Sequence, residues 1–255
     1  MIKILFFLLV AVLSIISIVF ISTLGITQPL SMLLSLVVPG VITFLLLITF
    51  KALAKYLIKS SSKTYNEIAS RAFHENDFEK AKKYFKDGCK FNDPKAYCGL
   101  AYMYDLGKGV KQDYFKAKDL YQKACELGSD VGCHNLGVLY ERGNGVEQDY
   151  KKARELYERA SSKNYALSYL NLGILYHTGM GVKINYPLAK EYYEKAISSE
   201  VDDPAVYINL GVIYEEGLGT EVDISKALTF FKKACGEGEK LGCSNYENLL
   251  SHQKN

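Results

Sequence analysis

The sequence predicts an all-α protein, a solenoid of stacked helical hairpins preceded by two apolar transmembrane helices. Two observations predict it. From Asp77 onward, residue types return with a period of about 36, the mark of an architecture in which each unit buries its apolar face only against its neighbours. Ahead of the repeats, Ile4 to Phe50 runs for 47 residues without a charge. That is enough for two helices of about twenty residues, each long enough for a bilayer core of about 30 Å.

Taken in order, the chain begins with apolar segments at about 4–26 and 30–50, separated by Thr27-Gln28-Pro29. Neither has an amphipathic face that would let it meet water as a soluble helix. A secretory signal peptide would use Lys3 as its positive start and Thr23-Leu24-Gly25 as a cleavage site, but the first segment exceeds the usual apolar length of about 7–15 residues. An uncleaved helix fits better. Pro39-Gly40 is a candidate kink in the second segment. A basic linker, 51–63, then carries Lys51, Lys55 and Lys59 on one helical face, suited to lipid headgroups.

The repeat region follows as one hairpin at 64–93, four units at 94–130, 131–165, 166–203 and 204–240, and a capping half-unit at 241–255. Candidate helix caps stand at Asp77, Asp113, Asp149, Asn185 and Asp223, spaced 36, 36, 36 and 38 residues apart. Each is suited to accept from a free N–H of the helix it opens, worth about 1 kcal/mol. Ala81, Ala117, Ala153, Ala189 and Ala227 follow in the same frame. Paired aromatic or leucine residues come next, from Tyr84-Phe85 to Phe230-Phe231. Small residues at Ala101, Gly137, Gly173 and Gly211 predict close approach of paired helices. Double glycines at 107/109, 143/145, 179/181 and 217/219 predict turns with positive φ. They join helix to helix and lack a following Lys-Ser or Lys-Thr, so they are not phosphate loops.

Composition narrows the function classes. The overall charge is +3, and residues 1–63 hold +5 with no acid before Glu67, leaving −2 for the repeats. Such a region has no basic stripe, which sets nucleic acid aside as a partner. No catalytic constellation is legible. Ser60 and Lys63 form a Ser-x-x-Lys pair in the linker, but Ser-Asp-Asn and Lys-Thr-Gly are missing. His134 and His177 read as ordinary side chains. No cofactor or metal is expected.

Six cysteines fall as Cys89/Cys98, Cys125/Cys133 and Cys235/Cys243, each pair straddling a junction between units. The other two junctions carry no cysteine, and this both-or-neither pattern points to partnership. Disulfides, reduced core thiols and a metal site remain as readings, although the spacing matches no common zinc motif. Topology divides on the same residues. Flanking lysines place both termini in the cytoplasm. Oxidised pairs would place the repeats outside, in a periplasm or beyond, which is the orientation we expect.

Asn135, Asn171, Asn209 and Asn245 share one register, at spacings of 36, 38 and 36, with Gly99 in the first unit. An amide both donates and accepts. Such a row can clamp the backbone of an extended peptide, or it can satisfy the helix stack itself. Tyr104, Tyr140, Tyr176 and Tyr214 share a second frame that reads as core.

Leu-Gly-x-Leu-Tyr, then Gly-x-Gly-Val, then Asp, Lys-Ala, Tyr and a second Lys-Ala resembles the Sel-one-like repeat, a relative of the tetratricopeptide repeat. The resemblance covers about 94–240, and the shorter turn His74-Glu75-Asn76 gives the hairpin before it a tetratricopeptide-like form. It implies a right-handed α-solenoid that serves as a scaffold for a protein or peptide partner. The junction cysteines resemble those of secreted bacterial cysteine-rich members, which implies disulfides between neighbouring units at all six positions. Some of those members are described as β-lactamases, so a β-lactam-binding or weakly hydrolysing protein is the alternative, with no residue here to carry it. The chain departs from them at the two cysteine-free junctions, at Cys98, which falls one residue late, and at its doubly apolar start.

Overall fold

The computed structural model describes residues 28–200 and 203–253, apart from some side chains between 28 and 59. The chain divides into two compact units, Met1–Thr64 and Tyr65–Asn255. The described helices are α1 (Gln28–His74), α2 (Phe78–Cys89), α3 (Pro94–Leu106), α4 (Tyr114–Glu126), α5 (Asp130–Arg142), α6 (Tyr150–Ser161), α7 (Ala166–Thr178), α8 (Tyr186–Ser198), α9 (Pro204–Glu216), α10 (Ile224–Gly236) and α11 (Lys240–His252). No strand occurs among the described residues.

The expected apolar segment 4–26 lies outside the described residues. The segment 30–50 falls on α1, which is continuous through Pro39-Gly40 and runs on past Lys51 to His74. Among the described residues no helix is long and apolar enough to cross a membrane.

In the second unit the end of α1, from Tyr65, packs on α2 through Ala69, Ala72, Ala81 and Phe85, and α3/α4, α5/α6, α7/α8 and α9/α10 form four further hairpins closed by α11. The five predicted caps all act. Asp77, Asp113, Asp149, Asn185 and Asp223 accept from the backbone N–H three residues on, at 2.9–3.1 Å. Each then places its frame alanine, Ala81 through Ala227, at 0% exposure. One turn later comes the ring that fills the hairpin: Phe85, Tyr121, Tyr157, Tyr193 or Phe231, every one buried.

The small residues of the first helices make room for those rings. A Cβ on Gly137 would lie 2.7 Å from the Tyr157 ring, and one on Gly173 would lie 2.5 Å from Tyr193. The turn glycines Gly107, Gly143, Gly179 and Gly217 adopt the left-handed conformation as C-caps, donating to a carbonyl four residues back. The second glycine of each turn presses on the preceding unit: Gly145 packs against Tyr114 and Gly181 against Tyr150, with no space for a Cβ. Local turn chemistry thereby sets the spacing between units. In the opening hairpin Asn76, at φ 60, supplies the left-handed residue instead.

Two junctions are covalent. Cys125–Cys133 and Cys235–Cys243 are disulfides with Cα–Cα distances of 4.5 and 4.4 Å. Both have glycine just before the second cysteine, where a Cβ on Gly132 or Gly242 would collide with Ala124 or Ala234. The expected third bridge is not formed: Cys89 and Cys98 are free thiols. The register explains the difference. Tyr97 occupies the position of Cys133 in this unit, so Cys98 is turned about 100° round the helix, and its Sγ lies 3.3 Å from Ser129 Oγ at the next junction. Burial pushes the thiols up to about 12 for Cys89 and about 11 for Cys98, which favours the protonated form of both.

Candidate functional site

Two pairs of successive first helices touch, α3 with α5 and α9 with α11, and among the described residues no two successive second helices come as close. The outward stripe of the first helices is the surface on which the predicted asparagine row falls. Asn135, Asn171, Asn209 and Asn245 all lie on that stripe, and all four are half-buried. Gly99 holds the fifth place because a Cβ there would lie 2.3 Å from the Phe85 ring.

The same spacing carries further residues. Four before each asparagine stand Val131, Leu167, Ala205 and Leu241; three after stand Val138, Ile174, Val212 and Asn248. Leu167 is 41% exposed and Leu241 54%. The stripe is thus a row of amides between two rows that are apolar on α5, α7 and α9. Sequence reasoning missed the flanking rows, because apolar residues at helical spacing read as core.

Beneath the amides lie buried hydroxyls. Tyr121 donates to Asp105 Oδ2 at 3.4 Å and Tyr157 to Glu141 Oε2 at 2.6 Å. Burial, reinforced by those carboxylates, raises both phenol pKa values. The Asn171 amide also hydrogen-bonds the Tyr157 hydroxyl, so one member of the ladder has a structural duty as well. In the third unit His177 replaces the carboxylate. Tyr193 Oη and His177 Nδ1 are both buried without a partner, although their rings meet at 6.2 Å. Burial lowers the His177 pKa, with Glu216 opposing.

His134 departs from its expected ordinary role. It is 6% exposed, its Nδ1 lies 2.9 Å from Ser168 Oγ on the next unit, and its ring packs on Tyr165 at 5.0 Å. Burial pushes it down to about 4. Its counterpart one unit earlier is Cys98, which likewise reaches forward to the next junction. The tyrosine frame serves helix pairing: Lys116, Lys152 and Lys226 sit over the rings of Tyr104, Tyr140 and Tyr214 at 5.3, 4.3 and 4.9 Å.

A separate open groove of about 1050 Å³ lies along the glycine turns of the first two units, lined by Lys82, Tyr104, Tyr114, Phe115 and Gly145. Ser60 and Lys63 are exposed on α1. Among the described residues no group of three or more His, Cys, Asp or Glu side chains could hold a metal.

Hairpins in a 36-residue frame, double-glycine turns and junction disulfides define a helical-repeat scaffold of the kind suited to protein–protein interaction. The chain belongs to the Sel1 repeat family, whose model matches residues 94–129, 131–165, 166–200 and 204–239. It is similar to the crystal structure of a Sel1 repeat protein from Oxalobacter formigenes, with a TM-score of 0.65 and 28% identity over 71% of this chain and 73% of that one. It is also similar to c5321, a protective antigen present in uropathogenic Escherichia coli strains and displaying an SLR fold, with a TM-score of 0.68 and 26% identity. That match covers 75% of this chain but only 42% of the Escherichia coli protein. Among curated proteins nothing matches the chain.

Proposed function

We propose that the protein is a membrane-tethered scaffold at a bacterial envelope that holds a protein or peptide partner along the exposed stripe of its first helices. The single observation that carries the binding role is the in-register row Asn135, Asn171, Asn209 and Asn245 on that stripe. A backbone offers alternating donors and acceptors, which amides can meet without reading side chains. Residues 1–50 would be the tether, 51–63 its basic linker and 94–240 the binding region. The uncharged run Ile4–Phe50 supports the tether. The two disulfides support an oxidising side for the repeats.

The test is site-specific photo-crosslinking in cells. A photoreactive residue in place of Val138 should trap a partner, and one in place of Glu155 on α6 should not. Trapping should fall at least fivefold in the Asn135→Ala, Asn209→Ala double variant while helicity is kept. Equal trapping from both positions removes the reading. Asn171→Ala should in addition lower the melting temperature, because its amide serves Tyr157.

A further inference from the structure

The turns that join the two helices of each unit carry one charged residue in a shared frame position, between the double glycine and the cap. These are Lys111, Glu147, Lys183 and Glu221, all exposed. No ion pair among the described residues engages them, whereas the caps Asp113 and Asp223 are paired with Lys116 at 2.7 Å and Lys226 at 3.3 Å. Their sign alternates along the stack: plus, minus, plus, minus. Such a row sums to zero and steers neither an acidic nor a basic partner. Reversed end for end, it becomes its own complement.

The junctions along this edge are built alike. Gly145, Gly181 and Gly219 each press on the start of the preceding second helix, at Tyr114, Tyr150 and Pro187, with no space for a Cβ. A two-fold axis can bring the edge against a second copy in two ways. With the rows parallel, each charge meets its own kind. With the rows antiparallel, Lys111 meets Glu221 of the second copy and Glu147 meets its Lys183, each pair being made twice.

Apolar side chains follow the same pattern. In the first two units Gln112 and Gln148 bond the carbonyls of Asp105 and Glu141 at 2.7 and 2.8 Å. Ile184 and Val222 hold that position in the third and fourth units, make no such bond, and are 47% and 60% exposed. At the other end Phe115 is 72% exposed, more than any other large apolar side chain among the described residues. It borders the open groove of about 1050 Å³ along the first two turns, which Val110 and Val146 also line. The antiparallel arrangement brings Val222 and Ile184 of one copy to this groove of the other.

We propose that the turn edge of the four units is the interface of an isologous dimer, in which a second copy of the chain lies antiparallel, first unit against fourth and second against third. The contact uses none of the asparagine row, so it stands or falls apart from the scaffold reading.

Native mass spectrometry of the full chain, released from detergent, tests it. The parent protein should give dimers that dissociate on dilution. Glu147→Lys and Lys183→Glu should each weaken the dimer at least tenfold, because each sets like charges face to face twice. Mixed in equal amounts, with one of them isotope-labelled, the two variants should form a heterodimer at close to the parent's affinity, since every pair is then opposite in sign. Phe115→Ser should weaken the parent dimer at least fivefold. Thermal melts of all three variants should match the parent, because the sites are exposed. A monomer at every concentration, a dimer indifferent to both charge reversals, or no heterodimer from the mixture overturns the inference.

Discussion

The second and third units, α5/α6 and α7/α8, are built on one frame but close by different means. The second is joined to its predecessor by Cys125–Cys133, and its buried phenol, Tyr157, has both a carboxylate and an amide. The third has no cysteine at either end, and Tyr193 and His177 face each other with unsatisfied atoms. Its junction to the second unit has no covalent link and is held by the packing of Ala153 and Tyr157 on Leu172 and Leu175, with hydrogen bonds from Tyr169 Oη to Ser161 O at 2.9 Å, between His134 and Ser168, and between Asn171 and Tyr157. One backbone frame therefore carries different cross-links and different polar satisfaction from unit to unit. In a solenoid, whose energy is a sum over units and nearest-neighbour interfaces, that difference stays local.

The largest effect should come from acid. His134 has a folded pKa of about 4 against an ordinary 6.5. The unfolded chain therefore binds the extra proton between those values, and stability falls as pH drops through that window. The loss approaches about 3 kcal/mol below pH 4. Denaturant melts at pH 7 and pH 4 should show it, and His134→Gln should flatten the dependence. An unchanged slope in the variant would show that other groups govern the acid response.

Next in size is reduction of Cys125–Cys133, which should cost about 2–3 kcal/mol for so short a loop. Hydrogen exchange should then lower protection at the α4–α5 junction toward that of α6–α7, with little change in α7/α8. Uniform loss along the chain would mean that the units are coupled far more strongly than the comparison implies.

Tyr157→Phe should cost about 1–2 kcal/mol by stranding Glu141, while Tyr193→Phe should be neutral or stabilising, since its hydroxyl has no partner to lose. Equal costs in thermal melts would contradict the contrast between the units. The smallest effect is a gain: His177→Glu should give Tyr193 the acceptor that Tyr157 enjoys and stabilise the protein by about 1 kcal/mol at pH 7. No rise in melting temperature would show that the hydroxyl is already satisfied.

Caps, frame alanines and turn glycines were legible in the sequence because each obeys a short-range rule. Asp149 caps, and Gly143 turns, wherever the chain around them goes. The third cysteine pair misled because spacing alone hides a one-residue shift: Cys98 follows Tyr97 at the facing position and turns away from Cys89. His134 was passed over because its burial is created by the next unit, through Ser168 and Tyr165. The rows flanking the asparagines stand in plain register, yet only the neighbouring helices decide that Val138, Ile174 and Val212 pack partly on the core while Leu167 stays exposed.

The covalent staples lie toward the two ends of the repeat array, one between α4 and α5 and the other between α10 and α11. The α6–α7 and α8–α9 junctions between them have none. Those middle junctions, beside Leu167, Asn171 and Ile174, are held by packing and hydrogen bonds alone. Bending between neighbouring units therefore meets no covalent restraint at these two junctions, unlike at the stapled pair.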